Sequence, residues 1–490
     1  MVAGGASDTL LNHIAGIAVP AAGGEWFAKL DPHSGRQVSR VARSQAADVQ
    51  QAIAAARAAY PGWSGRTPVD RGEILRKVCQ ALRERRSDLA AVVARETGKA
   101  PKHASGEVDG SILLGEFYAG EGQRLFGRTL TSGTPHRTNA TVREPLGVAG
   151  LIVPANTPIA NVSWKVFPAL ICGNTAVLKS AEDSPGTAAL FLEIAEAAGL
   201  PPGVLNVVHG YGNEAGAPLV ASPDVAMISF TGSTAVGRQI AATAGARLAR
   251  VSLELGGKNP FIVCDDADLE HAVEWAVLSA FSNAGQRCAA GSRLIIFDGV
   301  YQSFRERLVA RAEALRVGPT DADDFGPVIN ARQLAQQLAA IEEAVTGGAV
   351  LLTGGRRLTD PAHASGYYLG PTLLEGIDPA APMSCRELFG PIAVLYRVRD
   401  FGEALTLANN SAYGLTAAIH TSSVDRALAF TRGVAAGVAV VNGGTYGSEP
   451  HMPFGGVKDS GNGSREPGTE ALDLYSNLKN VVFLGRPGRV

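Results

Sequence analysis

Between Gly147 and Gly237, short apolar runs and helix-forming stretches alternate in a fixed order, and that order restricts the fold more than any other feature of the chain. The run 147–154 (GVAGLIVP) reads as a buried strand, Ala160 to Cys172 as a helix, 174–179 (NTAVLK) as a second strand and Gly186 to Ala198 as a second helix. The unit recurs with a strand at 203–208, a helix near Ala215, a strand at 225–230 and a helix opening at Gly232, Ser233 and Thr234. Successive β-α-β units with right-handed crossovers build a doubly wound parallel sheet, with ligands at the carboxyl ends of its strands.

At 490 residues the chain exceeds the size at which one hydrophobic core stops growing, so more than one substructure is expected. Helices are expected at 46–60 and through 70–97 ahead of the β-α-β block. A second α/β block follows over about 256–455, with helices near 269–283 and 300–315 and strands at 393–398 and 438–441. The polar, threonine-rich segment 128–144 and the tail 471–483 read as exposed strand edges and are the expected subunit contacts.

A net charge of −2 without blocks of like charge argues against a nucleic acid or membrane partner. No apolar run is long enough to span a bilayer. The first 19 residues, which include Asp8 and His13, do not read as a secretory signal. Five scattered cysteines without a C-x-x-C pair argue against a disulfide framework or a zinc site and fit a reducing cytoplasm.

Cys288, in Gly285-Gln286-Arg287-Cys288, and Glu254, in Leu253-Glu254-Leu255-Gly256-Gly257-Lys258, pair a thiol with a carboxylate. A thiolate forms an acyl-sulfur bond, and a carboxylate that deprotonates water hydrolyses it. Asn156, between Pro154 and Pro158, offers an amide to a developing oxyanion, or is an ordinary loop asparagine. The turn Phe230 to Gly237 places backbone N–H groups at a helix start where a pyrophosphate can sit, though such a turn also serves purely steric needs. Lys179 and Glu182 end the preceding strand where an adenosine ribose would lie, or form a surface ion pair.

Together these segments resemble the aldehyde dehydrogenase superfamily over nearly the whole chain. The resemblance is carried by the Glu254 and Cys288 motifs and their interval, by Glu387-Leu388-Phe389-Gly390-Pro391, by Pro453-Phe454-Gly455-Gly456-Val457-Lys458 and by the proline-flanked Asn156. It implies a Rossmann-like NAD-binding domain (1–127 and 148–255), an α/β catalytic domain (256–455) and a small β oligomerisation arm (128–147 and 456–490) in a homodimer or homotetramer. It implies that the Cys288 thiolate attacks an aldehyde, that Asn156 and the Cys288 N–H hold the oxyanion, and that Glu254 activates the hydrolytic water. Lys165, Glu387 and Phe389 match positions tied to proton handling and the nicotinamide ribose. Ile152, Val153, Pro154, Lys179, Glu182, Gly212, Gly216, Phe230, Gly232, Ser233, Val236 and Leu255 fall where the family grips the rest of the cofactor.

The Glu182 carboxylate favours a free ribose over a 2′-phosphate, so NAD is expected over NADP, with NADP possible through Lys179. Thr157, Asn161, Trp164, Arg287, Arg124 and Phe454 are the expected substrate residues, and the polar and cationic ones suit a polar or anionic, semialdehyde-like aldehyde. Alternatives are a CoA-acylating enzyme, which generally lacks the Glu254 base, an enzyme for aromatic or other neutral aldehydes, a structural protein of the same fold, and a nucleotide-binding regulator. Segments 443–452 and 460–466 each hold an extra residue relative to the commoner family pattern, so no role is placed on Glu449, His451 or Glu466.

Overall fold

The computed structural model describes residues 8–485. The expectations that touch residues 1–7 and 486–490, on the first residues and on the end of the arm, lie outside them. The first large sheet runs Arg250–Glu254, Val225–Thr231, Val148–Ile152, Thr175–Lys179 and Leu205–Val208, all parallel, and ends in the antiparallel strands Asn12–Ile14 and Ile17–Val19. Its strands are apolar throughout because both faces are covered. Ala149, Leu151, Ala176 and Leu178 face one core, while Val148, Ile152 and Val177 face another.

A second seven-stranded sheet runs Val350–Thr353, Thr372–Glu375, Ile392–Val398, Gly291–Phe297, Asn259–Val263, Thr416–His420 and Val438–Val441. Only its first pair is antiparallel. The same two-residue alternation divides Ile262 and Ile295 from Phe261, Val263, Leu294 and Ile296. The α/β class expected from the sequence holds for both sheets.

The expected helix near Ala215 begins as one π-turn, Gly212–Gly216, and continues as the α-helix Ala217–Ala221. The two segments expected as open edges are paired with each other: Ser476–Leu484 runs antiparallel to Arg137–Pro145 through its whole length. Their outer faces still expose Leu478, Val482, Phe483 and Leu484. Among the described residues no helix is long and apolar enough to cross a membrane.

Asn174 fastens this small sheet to the first large one. Its Oδ1 accepts from Leu146 N (2.7 Å) and Gly147 N (3.1 Å), and its Nδ2 donates to Ala169 O (3.0 Å) and Tyr475 O (2.7 Å). Asn174→Ala removes all four hydrogen bonds and leaves Leu146 N, Gly147 N and Tyr475 O without this partner, at about 1–3 kcal/mol for each group left unpaired, while Ala169 O keeps the Asn174 backbone N–H. A clearly lowered urea midpoint is expected, and an unchanged midpoint contradicts this role.

Candidate active site

Cys288 lies in the loop between the short 3₁₀ turn Ser282–Gly285 and the strand Gly291–Phe297. The approach is strained: Asn283, Ala284 and Gly285 have φ of 55°, 54° and 65° in succession. Left-handed backbone costs a residue other than glycine roughly 1–2 kcal/mol, so the loop needs clamps. Gln286 supplies one, accepting from Ile329 N (2.9 Å) and donating to Asn283 O (3.3 Å). Asn259 supplies another, donating to both Cys288 O (2.8 Å) and Ala290 O (2.9 Å) while accepting from Thr416 N (3.0 Å).

The two glycines after Glu254 have a steric reason. A Cβ on Gly257 would stand 2.3 Å from Cys288 O, and one on Gly256 would stand 2.2 Å from Glu387 Oε2. Their bareness lets the Glu254 strand, the Cys288 loop and the Glu387 segment press together.

Cys288, Asn156, Thr157, Trp164, Arg287 and Phe454 line one cavity of about 570 Å³, joined by Tyr446. Trp164 and Phe454 form an edge-to-face pair with centroids 5.4 Å apart. The Arg287 guanidinium sits 4.9 Å from the Tyr446 ring centroid, and its Nε is buried without a hydrogen-bond partner. Two expected substrate residues do not reach this lining. Asn161 is buried behind it, where its amide donates to Thr157 O and Oγ1 (both 2.9 Å), because one helical turn places it back over the start of its own helix. Arg124 is tied to Glu121, three residues earlier at the far end of the helix Pro101–Glu121.

Asn156 Nδ2 donates to Gln286 O (3.0 Å), two residues before the thiol. An amide nitrogen carries two protons, so one remains for the cavity. Glu254 ends the strand Arg250–Glu254 and is 3% exposed, with neither carboxylate oxygen hydrogen-bonded. Burial, then the nearby Glu466, holds its carboxyl well above the usual range, and Lys165 opposes the shift. Lys165 is itself fully buried and donates to Ser229 Oγ (2.7 Å) and Glu466 Oε2 (3.0 Å). The Cys288 thiol is pushed up to about 12 by burial, with Glu387 and Glu254 adding to it.

The expected cofactor residues line the carboxyl ends of the first sheet. Ser233 caps the helix Thr234–Ala246, whose first turn exposes Val236, and Gly232 precedes it. Ile152, Phe230 and Leu255 form a buried apolar floor with Ala215. Gly216 leaves room above Ile152, and Val153 packs into the opposite core ahead of Pro154. Glu182 Oε1 accepts from Lys179 Nζ (3.0 Å) and Gly212 N (2.9 Å), and the carboxylate stays partly exposed. Glu387 accepts from Gly257 N (3.0 Å) and is raised to about 7 by burial. Phe389 has a positive φ, with its carbonyl held by Gln337 Nε2 (2.8 Å). A capped helix start and a partly exposed carboxylate, both following carboxyl ends of strands in one parallel sheet, fit a dinucleotide.

Sequence reasoning missed Lys99, Glu107, Asn259 and Tyr446. Only Asn259 carried a signal, since it directly follows the Glu254 motif; the others reach the site across long stretches of chain.

Residues 19–481 match the model of the aldehyde dehydrogenase family. The chain belongs to the aldehyde dehydrogenase family. It is 38% identical over 477 residues to the α-ketoglutaric semialdehyde dehydrogenase of Bacillus subtilis (strain 168), covering 97% of this chain and 98% of that one. It is 40% identical over 482 residues to the mitochondrial benzaldehyde dehydrogenase of Antirrhinum majus, covering 97% and 88%. Its structure is similar to betaine aldehyde dehydrogenase from Staphylococcus aureus in complex with NAD+, with a TM-score of 0.95, 31% identity and coverage of 98% and 96%.

For this aldehyde dehydrogenase the raised Cys288 thiol gives a pH test. Below about 12 the thiolate fraction grows about tenfold per pH unit, so alkylation of Cys288 by iodoacetamide in the cofactor-free enzyme should climb steeply between about pH 7 and 9. Peptide mass spectrometry measures the rate, and a flat profile contradicts the assignment.

Proposed function

We propose that the enzyme oxidises a polar or anionic, semialdehyde-like aldehyde to its carboxylic acid through a covalent thioester on Cys288. One observation carries this reading: the thiol, an amide with a spare proton and an unpartnered arginine open into one cavity, with a bare carboxylate buried close enough to perturb the thiol. The Cys288 thiol first loses its proton to solvent, and the thiolate then adds to the aldehyde carbon. The free proton of Asn156 Nδ2 and the Cys288 N–H meet the resulting oxyanion. A bound NAD would supply the acceptor for the hydride lost from the Cys288-bound carbon as that carbon becomes the thioester. Glu254 takes a proton from water, whose oxygen adds to the thioester carbonyl and expels the Cys288 sulfur as the acid forms.

Glu182 and Glu387 would hold the two riboses, and the carboxylate of Glu182 favours NAD over NADP. Lys165 favours the Glu254 carboxylate, and the like charge of Glu466 opposes it. Water rather than CoA is the acyl acceptor, since the base is present. The five cysteines are free, which suits a reducing cytoplasm. We also read 1–127 with 148–255 as the cofactor domain, 256–455 as the catalytic domain, and 128–147 with 456–490 as an arm whose exposed apolar strand face joins copies of the chain in a dimer or tetramer.

The substrate class rests on Arg287. A guanidinium that lines the cavity without an anionic partner gains a charge-assisted hydrogen bond, about 1.5–3 kcal/mol, when a carboxylate enters. The semialdehyde relative supports this choice. The aromatic wall of Trp164, Phe454 and Tyr446, together with the benzaldehyde relative, favours ring-bearing aldehydes as the second reading. Arg287→Ala should raise KM for a carboxylate-bearing semialdehyde by about 10- to 100-fold and leave KM for a neutral aromatic aldehyde nearly unchanged. Equal effects on both overturn the anionic reading.

A further inference from the structure

The lining of the cavity that holds Cys288 also contains a buried ion pair that the chemistry above does not use. Lys99 follows the helix Arg86–Thr97, Glu107 lies in the helix Pro101–Glu121, and their side chains pair at 6% and 7% exposure. Each partner has a second contact. Lys99 Nζ donates to the backbone carbonyl of Asn156 (3.0 Å), to which Asn283 Nδ2 also donates (3.2 Å). Glu107 Oε1 accepts from Ile159 N (3.0 Å) and Ala160 N (3.3 Å), in the first turn of the helix Pro158–Ile171.

That first turn needs an outside acceptor. The N-cap residue Thr157 makes no capping hydrogen bond, and its hydroxyl instead accepts from Asn161. The leading N–H groups of a helix have no partner within it, and a carboxylate there also meets the positive end of the helix dipole. One carboxylate therefore fixes the helix start, and its lysine partner fixes the carbonyl of the residue two positions before that helix. Asn156 lies between these anchors, with its side chain aimed at the Cys288 loop.

We propose that Lys99 and Glu107 are positioning residues that set the Asn156 amide for the oxyanion. This rests on the reading that Asn156 donates to that oxyanion. An ion pair sealed from water keeps its geometry only while both charges remain, and a buried pair is no stronger for stability than a neutral replacement of similar volume. Its selective value here is geometric: a shift of about 1 Å in a reacting group lowers a rate by about 100-fold.

The test compares Lys99→Met/Glu107→Gln, which removes both charges and keeps an acceptor for the helix N–H groups, with Asn156→Ala and the triple variant. Each is assayed with NAD and a neutral aromatic aldehyde by rapid-mixing measurement of the first turnover of NADH, alongside NAD affinity and melting temperature. The paired variant should slow the first-turnover rate constant by about 10- to 100-fold while KM and NAD affinity stay within about twofold of the parent. Because the pair acts through Asn156, adding its changes to Asn156→Ala should cost little more than Asn156→Ala alone. If Asn156→Ala is slow but the paired variant keeps the parental first turnover, or its losses add fully in the triple variant, the positioning role is wrong. A paired variant that does not fold contradicts it too, by assigning the pair to the fold. If Asn156→Ala itself turns over at the parental rate, the oxyanion reading beneath the proposal fails instead.

Discussion

The structure depends on the close backbone contact along Glu254-Leu255-Gly256-Gly257. The first large sheet supplies the carboxylate and the second supplies the thiol, and at Gly256 and Gly257 the two come closer than any side chain would allow. Ser460 stitches the same seam: its hydroxyl donates to Gly256 O (2.6 Å) and accepts from Gly414 N (3.0 Å), while its carbonyl accepts from Leu255 N (2.9 Å). Two separately packed cores thereby present their reactive groups to each other: Glu254 stands at the carboxyl end of its strand in the first sheet, where open α/β sheets place ligands, and Cys288 stands just before the amino end of a strand in the second.

Charge is distributed unevenly around this seam. Lys165 with Glu466 and Lys99 with Glu107 are sealed as pairs, but Glu254 keeps both oxygens bare and Arg287 has only the face of Tyr446. Buried polar groups are normally satisfied, and although other unpaired atoms lie elsewhere in the fold, these two stand beside the Cys288 thiol. In the proposed mechanism water is the partner of Glu254, and a substrate anion that of Arg287. The raised Cys288 thiol belongs to the same pattern, because burial beside two carboxylates disfavours a third negative charge.

Most of the fold was legible because it follows from periodicity and local chemistry. Unbroken apolar runs marked strands covered on both faces, and Ser233 marked a helix start. The cysteine and glutamate motifs were legible for the same reason, since glycines required by close contact leave a contiguous signature. Asn161 was misplaced because helical spacing tells which face a residue occupies but not that its amide turns back on Thr157. Arg124 was misplaced because a cation three residues after Glu121 has a nearer partner than any substrate. Lys99 and Tyr446 were invisible because their contacts join segments far apart in the chain.

The central claim is that a carbon–sulfur bond to Cys288 forms and is then broken by water that Glu254 deprotonates. The direct measurement is intact-protein and peptide mass spectrometry of Glu254→Gln mixed with NAD and aldehyde. The account predicts one equivalent of NADH, little further turnover, and an acyl group on the peptide containing Cys288. Parental steady-state turnover with that peptide unmodified would contradict it.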